Sequence, residues 1–322
     1  MRLIEAEVRK LNRPLTWCLM ICAAVFVVLL ASGSARNAQL AVQSSSRQGV
    51  DGCEQLVRQA GQQLSATQCA AAQAAQQQRN AEKAAADRAS ARNVTRALSP
   101  AAAGAEAAGL IASMPGALLI GLLAGGHVGG EWSGRTLKNL LAQHGRRGEV
   151  LAAKAASLWL ASVGLLAVTW ATLAVAGPVL AKANGLPAST LSVLDALRSS
   201  GSHIARAALV LAFFVLLGIL AAVVTRGTVG TIAAAVGGVF ALLAIGSLPT
   251  LGEFTPASFV EGWMGFAGPA KQSSTLPDNF WSRFTDSSGT VPSHGFGLAG
   301  LSVTVLICGA LAWGVFRRVD IV

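Results

Sequence analysis

Cutting the chain at every Asp, Glu, Lys and Arg leaves seven charge-free stretches that approach or exceed about 20 residues, the length an α-helix needs to cross a bilayer. They are residues 14–35, 59–78, 107–130, 155–181, 207–225, 227–252 and 287–316. The second carries eight glutamines, and each unpaired amide in hydrocarbon costs several kcal/mol, so it is set aside. Six spans remain, and the sequence predicts an all-α integral membrane protein with six transmembrane helices. Composition agrees: 12% of the 322 residues are charged, against roughly 25% in a soluble domain.

The net charge of +10 invites a nucleic-acid reading, but the basic residues follow topology. Arg2, Arg9, Lys10 and Arg13, then Arg135, Lys138, Arg146, Arg147 and Lys154, then Arg226, and finally Arg317 and Arg318 lie on the side of the N-terminus. Short loops rich in Lys and Arg stay in the cytoplasm, so both termini are expected inside a multi-pass plasma-membrane protein, with no nucleic-acid partner. The first apolar run could be a signal peptide; its length favours a retained span.

Residues 1–13 read as an interfacial amphipathic helix, with Leu3, Ile4, Val8 and Leu11 on one stripe and Arg2, Glu5, Arg9 and Lys10 beside it. The first span, 14–35, leads to an external Ala/Gln-rich segment, 36–106. Its Ala, Gln, Glu, Lys and Arg are strong helix formers, and a helix capped at Ser65 runs to about Leu98, where Pro100 stops it. A shorter helix from Asp51 to Gly61 would complete a helical hairpin; low-complexity spacer is the alternative. Residues 107–322 hold the other five spans. Their external loop 253–295 carries Trp263, Phe266, Phe280, Trp281 and Phe284, suited to short helices at the outer interface, as anchors or along an exit route. Cys53 and Cys69 lie on the two arms of the hairpin, where an oxidising compartment permits a disulfide. Cys18, Cys22 and Cys308 fall within spans.

No catalytic or metal-binding constellation is present. His127, His144, His203 and His294 are scattered and have no evident carboxylate partner. A phosphate-binding loop is also missing. Span interiors without ionisable residues disfavour ion-coupled transport, so a transporter built this way draws its energy from elsewhere and is not itself an enzyme.

Between the second and third spans, Glu131, Trp132, Gly134, Thr136, Leu137, Leu140, Leu141, Arg146, Arg147 and Lys154 stand in a short amphipathic segment between glycine breaks. This pattern resembles the cytoplasmic loop of ABC type-2 transporter permease subunits, and the ending Phe316-Arg317-Arg318-Val319-Asp320 is similar to theirs. The resemblance implies that 131–154 is a coupling loop, whose ten residues contact a separate ATP-binding subunit. It further implies a dimer of this chain with two such subunits, ATP and Mg on the partner and no cofactor here, and export by alternating access. The glycine-rich runs 121–130 and 227–238 would allow close helix approach at the dimer interface. Gly145 stands where the family often has proline. A plain connector is the alternative for the loop, and a non-transporting sensor or scaffold displaying the external hairpin is the alternative for the protein.

Overall fold

The computed structural model describes residues 2–11, 14–47, 66–143, 147–186, 193–246, 254–265 and 293–318. Their ordered elements are all helical: α1 (Arg2–Leu11), α2 (Pro14–Arg47), α3 (Ala66–Ala97), α4 (Ala103–Ile111), α5 (Met114–Ala124), a π-helical turn (Gly125–Gly129), α6 (Gly130–Ser133), α7 (Thr136–Gln143), α8 (Arg147–Ala183), α9 (Val193–Thr225), α10 (Thr228–Gly246), α11 (Pro256–Met264) and α12 (His294–Arg318). Four helices are long and apolar enough to cross a membrane: Thr16–Ser44, Arg147–Ala183, Leu197–Thr225 and His294–Arg318. A bent pair, Ala103–Ile111 with Met114–Ser133, brings the count to as many as five. The chain is a multi-pass helical membrane protein. Of the expected span 227–252, α10 supplies a shorter apolar stretch, Thr228–Ala241, and 247–252 lies outside the described residues.

Three boundaries depart from expectation for local reasons. The helix of the first span does not stop at Ala35; α2 runs on to Arg47, because Asn37 to Gln43 contains helix formers and neither Gly nor Pro to stop it. The second is not one rod. It breaks at Ala112–Ser113 with a bend of 59°, where Pro115 opens α5: the ring cannot supply an N–H to the helix before it, and a helix start tolerates that loss. The bend also presses the Gly116 backbone against the Ile111 carbonyl, a contact that leaves no room for a Cβ. The fourth helix begins at Val193 rather than 207, which takes Arg206 inside it.

α3 occupies the expected Ser65 to Leu98 stretch, while Asp51 to Gly61 and Cys53 lie outside the described residues. α3 packs on the extended half of α2, and Ala31 and Ala35 close over Leu98 and Ala181. Small side chains let the two backbones approach, which offsets the scarcity of large apolar groups. The turn after α3 is seated on the bundle by Ser199 Oγ donating to the Ala101 carbonyl at 3.0 Å and by the Leu98 carbonyl against Gly177.

The main core joins α4, α5, α8, α9 and α12 around Ile120, Leu158, Leu165, Leu211, Ile219 and Leu301. Glycines of the first run pack inside the chain: a Cβ on Gly121, Gly125 or Gly129 would lie 2.6–2.8 Å from Ala235, Ile232 or Thr231 of α10. Gly237 and Gly238 have nothing within 4 Å.

Candidate functional site

Val8 is exposed, while Glu7 is 1% exposed and directed into the bundle, where α1 packs on α8. Glu7 is four residues from both Leu3 and Leu11, so it falls in the middle of their stripe.

Around Glu7 four charges close a ring. Lys10 Nζ donates to Glu7 Oε1 at 2.7 Å and to Glu131 Oε1 at 3.1 Å. Lys154 Nζ donates to Glu7 Oε2 at 3.0 Å and to Glu131 Oε2. Each carboxylate oxygen therefore meets one ammonium, and two negative charges balance two positive ones. Glu131 and Lys154 are 5% and 1% exposed. Such a burial is tolerable only because every charge is paired. His127 adds a fifth member, its Nε2 lying 3.3 Å from Glu7 Oε2 and 3.5 Å from Ser157 Oγ. The π-helical turn carries it; one extra residue per turn changes the direction of the side chains that follow. His127 does have a carboxylate partner, and sequence reading missed it because that partner is remote in the chain.

Burial alone pushes the Glu7 carboxyl up, but hydrogen bonds from His127 and Lys10 and the charge of Lys154 outweigh it and hold Glu7 well below the ordinary carboxylate range. For Lys10 burial acts downward, and Glu7 and Glu131 reverse it, leaving the ammonium raised. A depressed carboxyl stabilises the fold above its unfolded pKa near 4.3 and loses that contribution as pH falls toward its folded value; a raised ammonium contributes below its unfolded pKa and loses it at higher alkalinity. The difference in melting temperature between wild type and Glu7→Gln in detergent is expected to stay constant from about pH 8 to pH 5 and to shrink below about pH 4. A gap that closes between pH 8 and pH 6 contradicts the assignment.

The rest of the loop is tied to two other segments. Ser133 Oγ accepts the Thr228 N–H at 3.2 Å, joining α6 to the turn between α9 and α10. Arg147 donates to the Arg317 carbonyl at 3.0 Å, and Gly148 lies under the Trp313 ring, so the end of α12 is joined to the start of α8. Arg135, with φ 56°, makes the left-handed turn from α6 to α7. Leu137 is 0% and Leu141 7% exposed, Trp132 and Leu140 are partly buried against the same core, and Ser133, Gly134, Arg135, Thr136 and Asn139 face outward. Arg146 lies outside the described residues. The ten residues singled out in sequence thus divide: Glu131, Leu137, Leu141 and Lys154 are covered by their own chain, and Gly134 and Thr136 are open. Glu7 and His127 join the first group, and Lys10 is partly buried beside them. Among the described residues no group of three metal-ligating side chains is present.

The profile of the family described as ABC-2 family transporter protein matches residues 1–321. The chain belongs to the ABC-2 transporter family. Neither the comparison with curated proteins nor that with solved structures found a match. This ABC-2 family protein is a membrane permease component of an ABC-type transporter and not a catalytic subunit, and the 131–154 loop with its ring of charges is its candidate functional site.

Proposed function

We propose that this permease works as a dimer with two copies of a separate ATP-binding subunit, which holds ATP and Mg, and exports an unidentified substrate by alternating access. On this reading six helices cross the plasma membrane, α1 lies in the cytoplasmic interface, and both termini and the 131–154 loop are cytoplasmic. The Cys53–Cys69 disulfide of the external segment belongs to the same proposal; Cys69 is 5% exposed and is not among the free thiols.

One observation carries the reading most of the way: the loop is connected by directed contacts to α1, to the α9–α10 turn and to the end of α12. A push on it would be felt by three other segments at once, as alternating access requires of a site that receives force. The covered residues Glu131, Leu137, Leu141 and Lys154 brace the loop. Its open surface of Gly134, Arg135, Thr136 and Asn139, with the partly buried Trp132 and Leu140 and the neighbouring Arg146, is the ATPase contact.

Arg147 holds the Arg317 carbonyl, so the sharper test uses Arg135 and Thr136, both exposed. Loss of a desolvated charged contact costs about 2–5 kcal/mol, and every 1.4 kcal/mol is about tenfold in affinity. Arg135→Glu with Thr136→Glu is expected to lower recovery of the partner ATP-binding subunit by about tenfold or more, with membrane insertion unchanged. Arg88→Glu with Arg92→Glu on α3 serves as the control. Equal ATPase recovery from both variants would place the docking site elsewhere.

A further inference from the structure

At the end of the bundle far from the loop, Arg206 sits within α9. From Thr225, beside the α9–α10 turn, to Arg206 is about 28 Å at 1.5 Å per residue, close to the roughly 30 Å of bilayer hydrocarbon. With Thr225 at one border, Arg206 therefore lies at the headgroup level of the other. Its neighbours are those of a membrane interface: Phe296 meets Phe254 and Phe259 edge to face, with centroids 6.2 and 5.7 Å apart, and Trp263 lies under the guanidinium.

The Arg206 Cζ is 5.7 Å from the Trp263 ring centroid, and Trp263 Nε1 donates to the Arg206 carbonyl at 3.0 Å. The indole lies beside the guanidinium, whose planar fork of N–H donors suits two oxygens of one anion. No ion pair of Arg206 occurs among the described residues. Two imidazoles stand beside it. His203 is three residues earlier on the same helix face, and His294 opens α12 across from it. His294 and Arg206 converge on Gly265, whose φ of 71° is left-handed; a Cβ there would lie 2.7 Å from His294 Cε1 and 3.8 Å from Arg206 Nη1. A side chain at this turn would collide with the imidazole, so glycine lets His294 close in beside Arg206 and gathers cationic and N–H donor groups at one place.

We propose that Arg206, His203 and His294 form a binding site for a phosphate group at the far membrane surface, carried by a phospholipid headgroup or present as free phosphate. Arg206 forks two phosphate oxygens, the imidazoles donate to the remaining ones, and the aromatic collar holds any attached chains. The site needs only that the chain spans a bilayer, so it stands apart from the ATPase contact proposed above.

The full-length permease, purified in detergent, is mixed with phosphatidylglycerol or with a galactosyl diacylglycerol of the same chains, and retained lipid is counted by native mass spectrometry. Wild type is expected to retain the phospholipid preferentially, and Arg206→Gln to lower that retention about tenfold or more, the effect of losing hydrogen bonds to a charged group, while galactolipid retention stays the same. His294→Gln, at an exposed first-turn position, is expected to lower it severalfold and carries the test where Arg206→Gln fails to fold. A second arm measures binding of inorganic phosphate: binding to wild type but not to the variants, with lipid retention unaltered, identifies free phosphate as the source. Equal retention of both lipids by wild type and variants, together with no phosphate binding, overturns the proposal.

Discussion

Lys154→Ala is expected to destabilise the permease by about 3–5 kcal/mol and to release α1 from the bundle. Lys154 is 1% exposed and bonds both Glu7 and Glu131, so its loss leaves two buried carboxylates sharing the one ammonium of Lys10, with His127 beside Glu7. The penalty comes mostly from the stranded negative charge and only partly from the vanished contacts. A melt in detergent measures the first effect, and hydrogen exchange of the α1 amides measures the second. Combining Lys154→Met with Glu131→Gln removes one charge of each sign and leaves Glu7 paired with Lys10, so the double variant is expected to recover at least half of the loss. A single variant that melts like wild type, with α1 equally protected, would mean that the ring of charges does not hold α1.

Leu137→Ala is expected to cost about 2–5 kcal/mol in the isolated permease, with no ATPase present. Leu137 is 0% exposed and belongs to the same cluster as Val128, Leu141 and Val150, and truncating it leaves a cavity in a region already filled by this chain. Leu140, which is only partly buried, gives the comparison: its Ala variant is expected to lose much less stability. A melt unchanged by Leu137→Ala would mean instead that this leucine meets the partner subunit, as its place in the motif suggested.

The two outcomes trace a division between kinds of information. A charge-free run of about 20 residues states its own preference for hydrocarbon, because the cost of burying charge falls on each side chain separately; the helices of α2, α8, α9 and α12 were therefore visible in the sequence, as was the Ala-rich α3. Pro115 was visible as well, yet the 59° bend follows from how Gly116 packs on Ile111, and that depends on the neighbouring helices. Order and residue type within 131–154 were enough to suggest the family. They could not say which of those residues face inward, since an amphipathic helix reports that it has two faces without reporting what covers either one.

The ring of charges lay further from view. Glu7 and Lys154 are 147 positions apart, and nothing local in either segment refers to the other. The one trace was a carboxylate four residues from both Leu3 and Leu11, in a stripe otherwise apolar. Sequence alone determined which long helices are apolar enough to cross a membrane and suggested the family, because those properties are sums over neighbouring residues. Only the tertiary structure decided that α1 turns Glu7 inward, that the π-helical turn brings His127 to it, and that Lys154 closes the ring, because a buried charge is held by partners that the folded chain alone brings within 3 Å.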